Sequence, residues 1–144
     1  MNRVVVTGLG TVNPLGNDIK TTWESLIAGK SAVNLVTRFD VTQFRAQCGA
    51  EVKNFQPELY LDKNEIRRTD LFIRYAIYSA AQAIEDSGID FKTMDSFDAG
   101  VIFGVGQGGV ETFEHEVASY VNGGYIPRFN PFFIPKLLVN LAAG

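Results

Sequence analysis

Two unbroken apolar runs, each leading into a glycine-rich turn, constrain this chain more than any other feature of its sequence. Val4-Val5-Val6 precedes the turn Thr7-Gly8-Leu9-Gly10, and Ala99-Gly100-Val101-Ile102-Phe103 precedes the turn Gly104-Val105-Gly106-Gln107-Gly108-Gly109. A continuous apolar run, unlike an alternating one, is typical of a strand that is covered on both faces. Because helical patterns follow both turns, the sequence predicts a layered α/β fold.

The spacing of apolar residues and the residues that end helices predict four helices. The first is capped by Asn17 and ended by Gly29, and the second runs from about Asn64 to Ser87. The third follows Gly109 and ends at Asn122-Gly123-Gly124, and the fourth begins at Asn130. Between Ser31 and Pro57 the apolar residues show no clear period. We expect an extended excursion with short strands there.

The last predicted helix bears on how much of the fold the chain contains. Asn130 is expected as its N-cap and Pro131 as its first residue, and the apolar stretch continues to Leu141 without a polar tail after it. Such a helix needs further elements to cover it, and two strong strands are few for a sheet that carries four helices. We therefore expect the chain to continue beyond Gly144.

Composition excludes several classes of protein. The 144 residues weigh 15.8 kDa, enough for one domain or one lobe of a larger one, and 46% of them are hydrophobic. A net charge of −3 argues against a nucleic-acid partner. No apolar stretch has the length of a membrane span, and the single cysteine and single histidine leave little for a metal site. We expect a soluble protein of a reducing compartment, the cytoplasm.

Two local patterns suggest chemistry that the residues only weakly support. Gly104–Gly109 has the spacing of a dinucleotide-binding turn, although a tight strand-to-helix turn explains the glycines equally well. A Cys48–His115 pair is the only Cys–His arrangement available. Since His115 lies between Glu114 and Glu116, on the helix face opposite the apolar one, a half-buried inert thiol is the simpler interpretation.

A basic cluster marks the start of the long predicted helix. Lys63, Arg67 and Arg68 are interleaved with acidic residues, so a solvated, salt-bridged face is the plainer interpretation. The functional interpretation is a local docking patch for an acidic partner. Its attraction would be sensitive to salt, because the chain as a whole is acidic.

Four ordered motifs resemble the elongating type II β-ketoacyl-[acyl-carrier-protein] synthases, and together they cover essentially the whole chain. They are Val4–Gly10 with Asn13–Gly16, Asp62–Phe72, Gly104–Gly109, and Asn122–Gly124 with Asn130–Pro135 and Val139-Asn140. The resemblance implies a thiolase-like fold of layered α-β-α type, of which residues 1–144 are part of the amino-terminal lobe. It also implies a homodimer.

The resemblance further implies a decarboxylative Claisen condensation. An acyl group is transferred to a cysteine, malonyl-carrier protein loses carbon dioxide, and the carbanion attacks the thioester. The acyl carrier protein is the implied partner, and no cofactor is needed beyond its phosphopantetheine arm. In the family the nucleophile and two histidines lie beyond the position of Gly144, so no catalytic residue is expected here and the isolated chain is predicted to be inactive.

Non-catalytic roles carry over by position. Gln107 corresponds to the gate of the acyl pocket, usually isoleucine in this family, and Phe133 to an aromatic residue that lines the pocket across the dimer interface. Lys63, Arg67, Arg68 and Arg128 correspond to the carrier-docking surface. Three alternatives stay open: a chain-length-factor partner without the nucleophile, a polyketide or aryl-polyene ketosynthase, and a small nucleotide-binding module.

Overall fold

The structure, a computed structural model, describes residues 3–144, and at Ser96 it describes the backbone alone. It divides into two compact units, one of residues 1–56 with 79–89 and one of residues 57–78 with 90–144. The elements in chain order are α1 Ile19–Ile27, β1 Val33–Leu35, β2 Cys48–Ala50, α2 Lys63–Arg68, α3 Leu71–Ser87, α4 Val110–Asn122 and α5 Phe133–Leu137. Helix α3 contributes its last turns to the first unit and its first turns to the second.

The amino-terminal segment of the first unit is held by side chains of α3. The Leu9 amide donates to Asp86 Oδ2 at 2.9 Å, and the Thr11 amide donates to Gln82 Oε1 at 3.2 Å. Gln82 in turn donates through Nε2 to the Asn17 carbonyl at 2.6 Å. Side chains of α3 therefore hold the segment that follows the expected strand Val4–Val6.

The two strands predicted from the apolar runs are absent from residues 3–144. Val4–Val6 and Ala99–Gly104 have no paired neighbour there, and the side chains of Val4 and Ile102 are 93% and 97% exposed. A strand exists only through the hydrogen-bond ladder of a neighbour, so an apolar run without one is not a strand. The prediction of two strands at these runs is therefore wrong for the described residues.

The first helix and the following hairpin agree with the sequence except at the cap. Asp18, not Asn17, is the N-cap of α1: its carboxylate accepts from the Thr21 amide at 2.7 Å, and this bond lowers the pKa of Asp18. Asn17 instead donates to the carbonyls of Lys53 and Asn54. Strands β1 and β2 pair antiparallel, which confirms the expected short strands.

Acid is expected to loosen the contact between the residues that follow β1 and Glu51, which follows β2. Hydrogen bonds from Thr37 and from the Arg38 amide lower the pKa of Glu51 from 4.5 to about 2. A carboxylate with a depressed folded-state pKa stabilises the fold above about pH 4.5 and loses that contribution as the pH falls toward 2. NMR titration of the Glu51 carboxyl should give a midpoint near 2, higher in Thr37→Val. A wild-type midpoint near 4.5 would contradict this.

Side chains cap both ends of helix α2 in the second unit, although the helix has only six residues. Asp62 accepts from the amides of Asn64 and Glu65 at 2.6 and 2.8 Å, and Glu65 Oε2 accepts from the Asp62 amide at 2.6 Å. This reciprocal arrangement is a capping box. At the other end, the Arg74 guanidinium donates to the carbonyls of Ile66 and Thr69 at 2.6 and 2.7 Å.

The prediction of one helix over 64–87 is therefore wrong. Thr69 is extended, with φ −102° and ψ 152°, and separates α2 from α3. The apolar spacing did not indicate this break, because the break depends on Arg74 reaching back to carbonyls that α2 leaves without helical partners.

The last two helices differ in how well the sequence predicts them. Helix α4 follows the glycine turn and ends at Gly123, as expected. Helix α5 is shorter than predicted and starts later, with Phe132 and not Asn130 as N-cap, and it ends where Leu138 becomes extended. Asn130 still accepts from the Phe132 amide at 2.8 Å, so it shapes the turn before the helix. Within residues 3–144, no helix combines the length and apolarity needed to cross a membrane.

Candidate functional site

The Gly104–Gly109 turn runs against the end of α5, and only glycine fits where it does so. A Cβ on Gly108 would lie far inside contact distance of the Leu137 carbonyl oxygen. A Cβ on Gly109 would lie 2.5 Å from the Lys136 carbonyl oxygen and 2.7 Å from Asp70 Oδ2. Close backbone approach thus explains these two glycines. It also fixes the position of the backbone that directly follows Gln107.

Gln107 lies at a groove of about 260 Å³ in the second unit. The lining residues are Gln107, Gly108, Gly109, Val110, Phe113 and Leu137. None of them carries a formal charge, and the Gln107 side chain is exposed. The groove therefore offers an apolar wall with one amide group that both donates and accepts hydrogen bonds. An acyl chain suits the wall, and a neutral polar group on that chain suits the amide.

A row of aromatic rings connects this groove to Phe133. Phe113, which lines the groove, stacks on Phe133 with ring centroids 6.2 Å apart, and Phe133 stacks on Phe129 at 5.4 Å. Tyr120 continues the row at 5.3 Å from Phe129. The two predicted acyl-pocket residues, Gln107 and Phe133, are thus joined through Phe113. Nothing in the position of Phe113 along the sequence indicated that it would line a groove.

The structure does not favour a dinucleotide at the glycine turn. Asp70 Oδ2 accepts from the Thr112 hydroxyl in the first turn of α4, next to Gly109. A bound pyrophosphate needs this end of the helix free of negative charge, because its own charge is stabilised by the helix amides. A fixed carboxylate already occupies that region. Asp70 and Thr112 are functional candidates that sequence reasoning missed, since 42 residues separate them.

The basic residues predicted for carrier docking occupy two places in the second unit. Lys63, Arg67 and Arg68 are exposed on α2. The Arg68 guanidinium carbon lies 5.5 Å from the centroid of the Phe132 ring, a cation–π contact. Arg68 is thereby held beside the residue that precedes Phe133.

Arg128 borders a second groove, of about 250 Å³. Its other lining residues are Glu116, Ser119, Tyr120, Gly123, Ile126 and Phe129. Glu116 is already engaged there, since its Oε2 accepts from the Asn130 amide at 3.0 Å. Arg128 is exposed. The charge of Arg128 therefore remains available to a partner at the rim of this groove.

Neither Cys48 nor His115 is built into a site. Cys48 is a free, exposed thiol in β2, and His115 is exposed on α4, in the other unit. Three or more metal-ligating side chains are nowhere gathered into a cluster within residues 3–144. The described residues thus show no assembled nucleophile or metal centre.

Comparison with solved structures identifies the fold. The chain superposes on the ishigamide ketosynthase/chain length factor with a TM-score of 0.78 at 22% identity, over 96% of this chain and 34% of that one. It also superposes on a type II polyketide ketosynthase in complex with its acyl-carrier protein (AntDE:AntF), with a TM-score of 0.79 at 23% identity, over 100% and 37%. The fold is thus that of the ketosynthases, thiolase-like, as the sequence predicted.

Sequence comparison then gives the family. The family model "Beta-ketoacyl synthase, N-terminal domain" matches residues 1–144. The 3-oxoacyl-[acyl-carrier-protein] synthase 2 of Coxiella burnetii is 46% identical over 99% of the chain, and that of Staphylococcus aureus strain COL is 40% identical over 99%. The chain belongs to the β-ketoacyl synthase family, which confirms the predicted resemblance. It spans about a third of the length of these relatives, 34% in both cases.

Proposed function

We propose that this chain is the amino-terminal part of an elongating 3-oxoacyl-[acyl-carrier-protein] synthase that works as a cytoplasmic homodimer. In the proposed reaction an acyl group passes from its carrier thioester to a cysteine thiol, and the carrier thiol is released. Malonyl-carrier protein then loses carbon dioxide, and its carbanion carbon bonds to the acyl carbonyl carbon as the enzyme thiolate leaves. The observation that carries the proposal is the uncharged groove at Gln107, in a chain of this family.

We propose that residues 1–144 help to bind the acyl chain and the carrier protein and do not take part in the chemical steps. Gln107 gates the acyl groove, which Phe113 also lines. Phe133, stacked on Phe113, lines the pocket across the dimer interface. Lys63, Arg67, Arg68 and Arg128 attract the acidic surface of a carrier protein. The nucleophile and the residues that stabilise the carbanion are proposed to lie outside this chain.

The test is an assay of the full-length protein that carries this sequence, with malonyl-carrier protein and a series of acyl-carrier proteins. We expect carbon dioxide release and a 3-oxoacyl product two carbons longer than the acyl donor. The 144-residue chain assayed alone should give neither. A full-length protein that is inactive alone but required by an active synthase would be a chain-length factor, and that result would overturn the proposal.

Gln107 favours one variant of this function, a ketosynthase for acyl chains that carry polar or conjugated groups. A saturated chain offers the amide no hydrogen-bond partner, so covering the amide with such a chain costs free energy. A chain with a carbonyl or hydroxyl oxygen supplies that partner. The aromatic rings of Phe113 and Phe133 would also suit a conjugated chain.

Replacing Gln107 with isoleucine should therefore shift acyl preference toward saturated chains. Removing an amide that must be desolvated is worth about 1–2 kcal/mol, so kcat/KM for a long saturated donor should rise roughly five- to thirtyfold relative to an oxygenated donor. Competition assays with paired acyl-carrier substrates measure the ratio directly. If the ratio in Gln107→Ile equals that of the wild type, Gln107 is not the gate.

A further inference from the structure

One carboxylate in the second unit contacts both the start of α3 and the turn that bears Gln107. Asp70 Oδ1 accepts from the Leu71 amide at 2.7 Å, and Oδ2 accepts from the Thr112 hydroxyl. The same Oδ2 lies beside the backbone of Gly109. Asp70 is partly buried, so these bonds are better shielded from water than surface contacts are.

The glycine turn is consequently confined where side chains would otherwise stand. The Asp70 carboxylate and the Lys136 carbonyl oxygen both lie where a Cβ of Gly109 would be, and the Leu137 carbonyl oxygen lies against Gly108 in the same way. The turn has little room to move toward either. Since Gln107 directly precedes Gly108, the position of its backbone depends on this confinement. The charge also suits the place, because a carboxylate at the first turn of a thirteen-residue helix interacts favourably with its amides.

We infer that Asp70 is a positioning residue of the acyl groove, which acts through Thr112 and Gly109 to hold Gln107 at its rim. Asp70 does not line the groove, so its effect is on the shape of the site and not on direct contact with the acyl chain. The consequence for selectivity rests on the proposed function. The confinement of the turn does not rest on it.

The test uses the full-length protein with Thr112→Val, which removes the hydroxyl and keeps the shape, and with Asp70→Asn, which removes the charge. Thr93→Val and Asp90→Asn are matched controls in the same unit, because the hydrogen bonds that Thr93 and the Asp90 side chain make within residues 3–144 are local. Thr112→Val is the milder change, and it keeps the test valid if Asp70→Asn does not fold.

Amide hydrogen exchange over residues 104–113 is the first measurement, and it needs no activity. Loss of a hydrogen bond to a charged group should speed exchange there about tenfold in both variants and leave it unchanged in the controls. The second measurement is the ratio of kcat/KM values for a long and a short acyl donor. We expect this ratio to shift at least about threefold in both variants while the controls keep the wild-type ratio.

The outcomes separate the two proposals. Unchanged exchange in Thr112→Val and Asp70→Asn overturns the positioning role, whatever the activity. Faster exchange with equal loss of rate for both donors also overturns it, because Asp70 would then only stabilise the fold. A wild-type protein without condensing activity refutes the proposed function, and exchange alone then decides whether Asp70 holds the turn.

Discussion

Alanine in place of Gly10 is expected to destabilise the first unit by about 3–5 kcal/mol. A Cβ at this position would lie 2.8 Å from the Ala83 amide nitrogen and closer still to the Ser79 carbonyl oxygen, both in the backbone of α3. Backbone atoms inside a helix cannot move singly, so the whole helix or the whole amino-terminal segment has to shift. That shift also breaks the bond from the Thr11 amide to Gln82. Urea unfolding monitored by circular dichroism measures the loss.

Gly100→Ala is the matched control for this change. A Cβ on Gly100 would meet no heavy atom within 4 Å, and the φ of Gly100 lies outside the left-handed region. Alanine there should change the free energy of unfolding by less than about 1 kcal/mol, because only the entropy of the unfolded chain is altered. Equal losses in the two variants would mean that glycine is needed for conformational freedom and not for close approach.

Gly10 also illustrates what the sequence alone could predict. The glycines that follow Val4–Val6 correctly indicated a backbone position where a side chain would not fit. They could not indicate that α3 lies against the glycines, because that contact joins residues about 70 positions apart, as the Thr11–Gln82 bond does. An apolar run likewise does not by itself specify a strand, since the ladder depends on a neighbour that the run does not encode.

Helices were predicted best where their ends depend on nearby residues. Helix α4 begins after Gly109 and ends at Gly123, and both signals are local. The break at Thr69 depends on Arg74, whose guanidinium supplies hydrogen bonds that a helical backbone would otherwise provide. The spacing of apolar residues continues across such a break and therefore does not reveal it. The long helix was therefore predicted as continuous where the structure has two helices.

For the site, positional resemblance predicted residues and the structure supplied their connections. Gln107 and Phe133 were singled out by their place in ordered motifs, yet only the stacking of Phe113 on Phe133 links them. Asp70 and Thr112 were not singled out at all. An aspartate among other charges and a threonine in a helix are common, and their meaning comes from a contact across 42 residues.

Reversing the charge of Arg68 is expected to raise KM for the acyl-carrier substrate about tenfold in the full-length protein. An exposed ion pair contributes up to about 1 kcal/mol, and glutamate replaces that attraction with a repulsion of similar size. The substitution also removes the contact between the guanidinium and the Phe132 ring. Turnover of a small acyl thioester without a carrier should not change, since it does not use the docking surface. Steady-state kinetics with both substrates measure the difference.

Two further variants serve as controls. One tests whether the positive charge at position 68 matters more than the contact with the Phe132 ring, and the other tests whether the change in the net charge of the chain alone has an effect. Arg68→Lys keeps the positive charge but loses the planar stacking geometry, so KM for the carrier should stay within about threefold of wild type. Arg45→Glu makes the same charge change at an exposed residue of the first unit and should leave KM unchanged.

Because exposed charges are screened by salt, the tenfold effect of Arg68→Glu should shrink between low and high ionic strength. If Arg68→Glu slows carrier-bound and small substrates equally, Arg68 supports the acyl groove through Phe132 and does not dock the carrier.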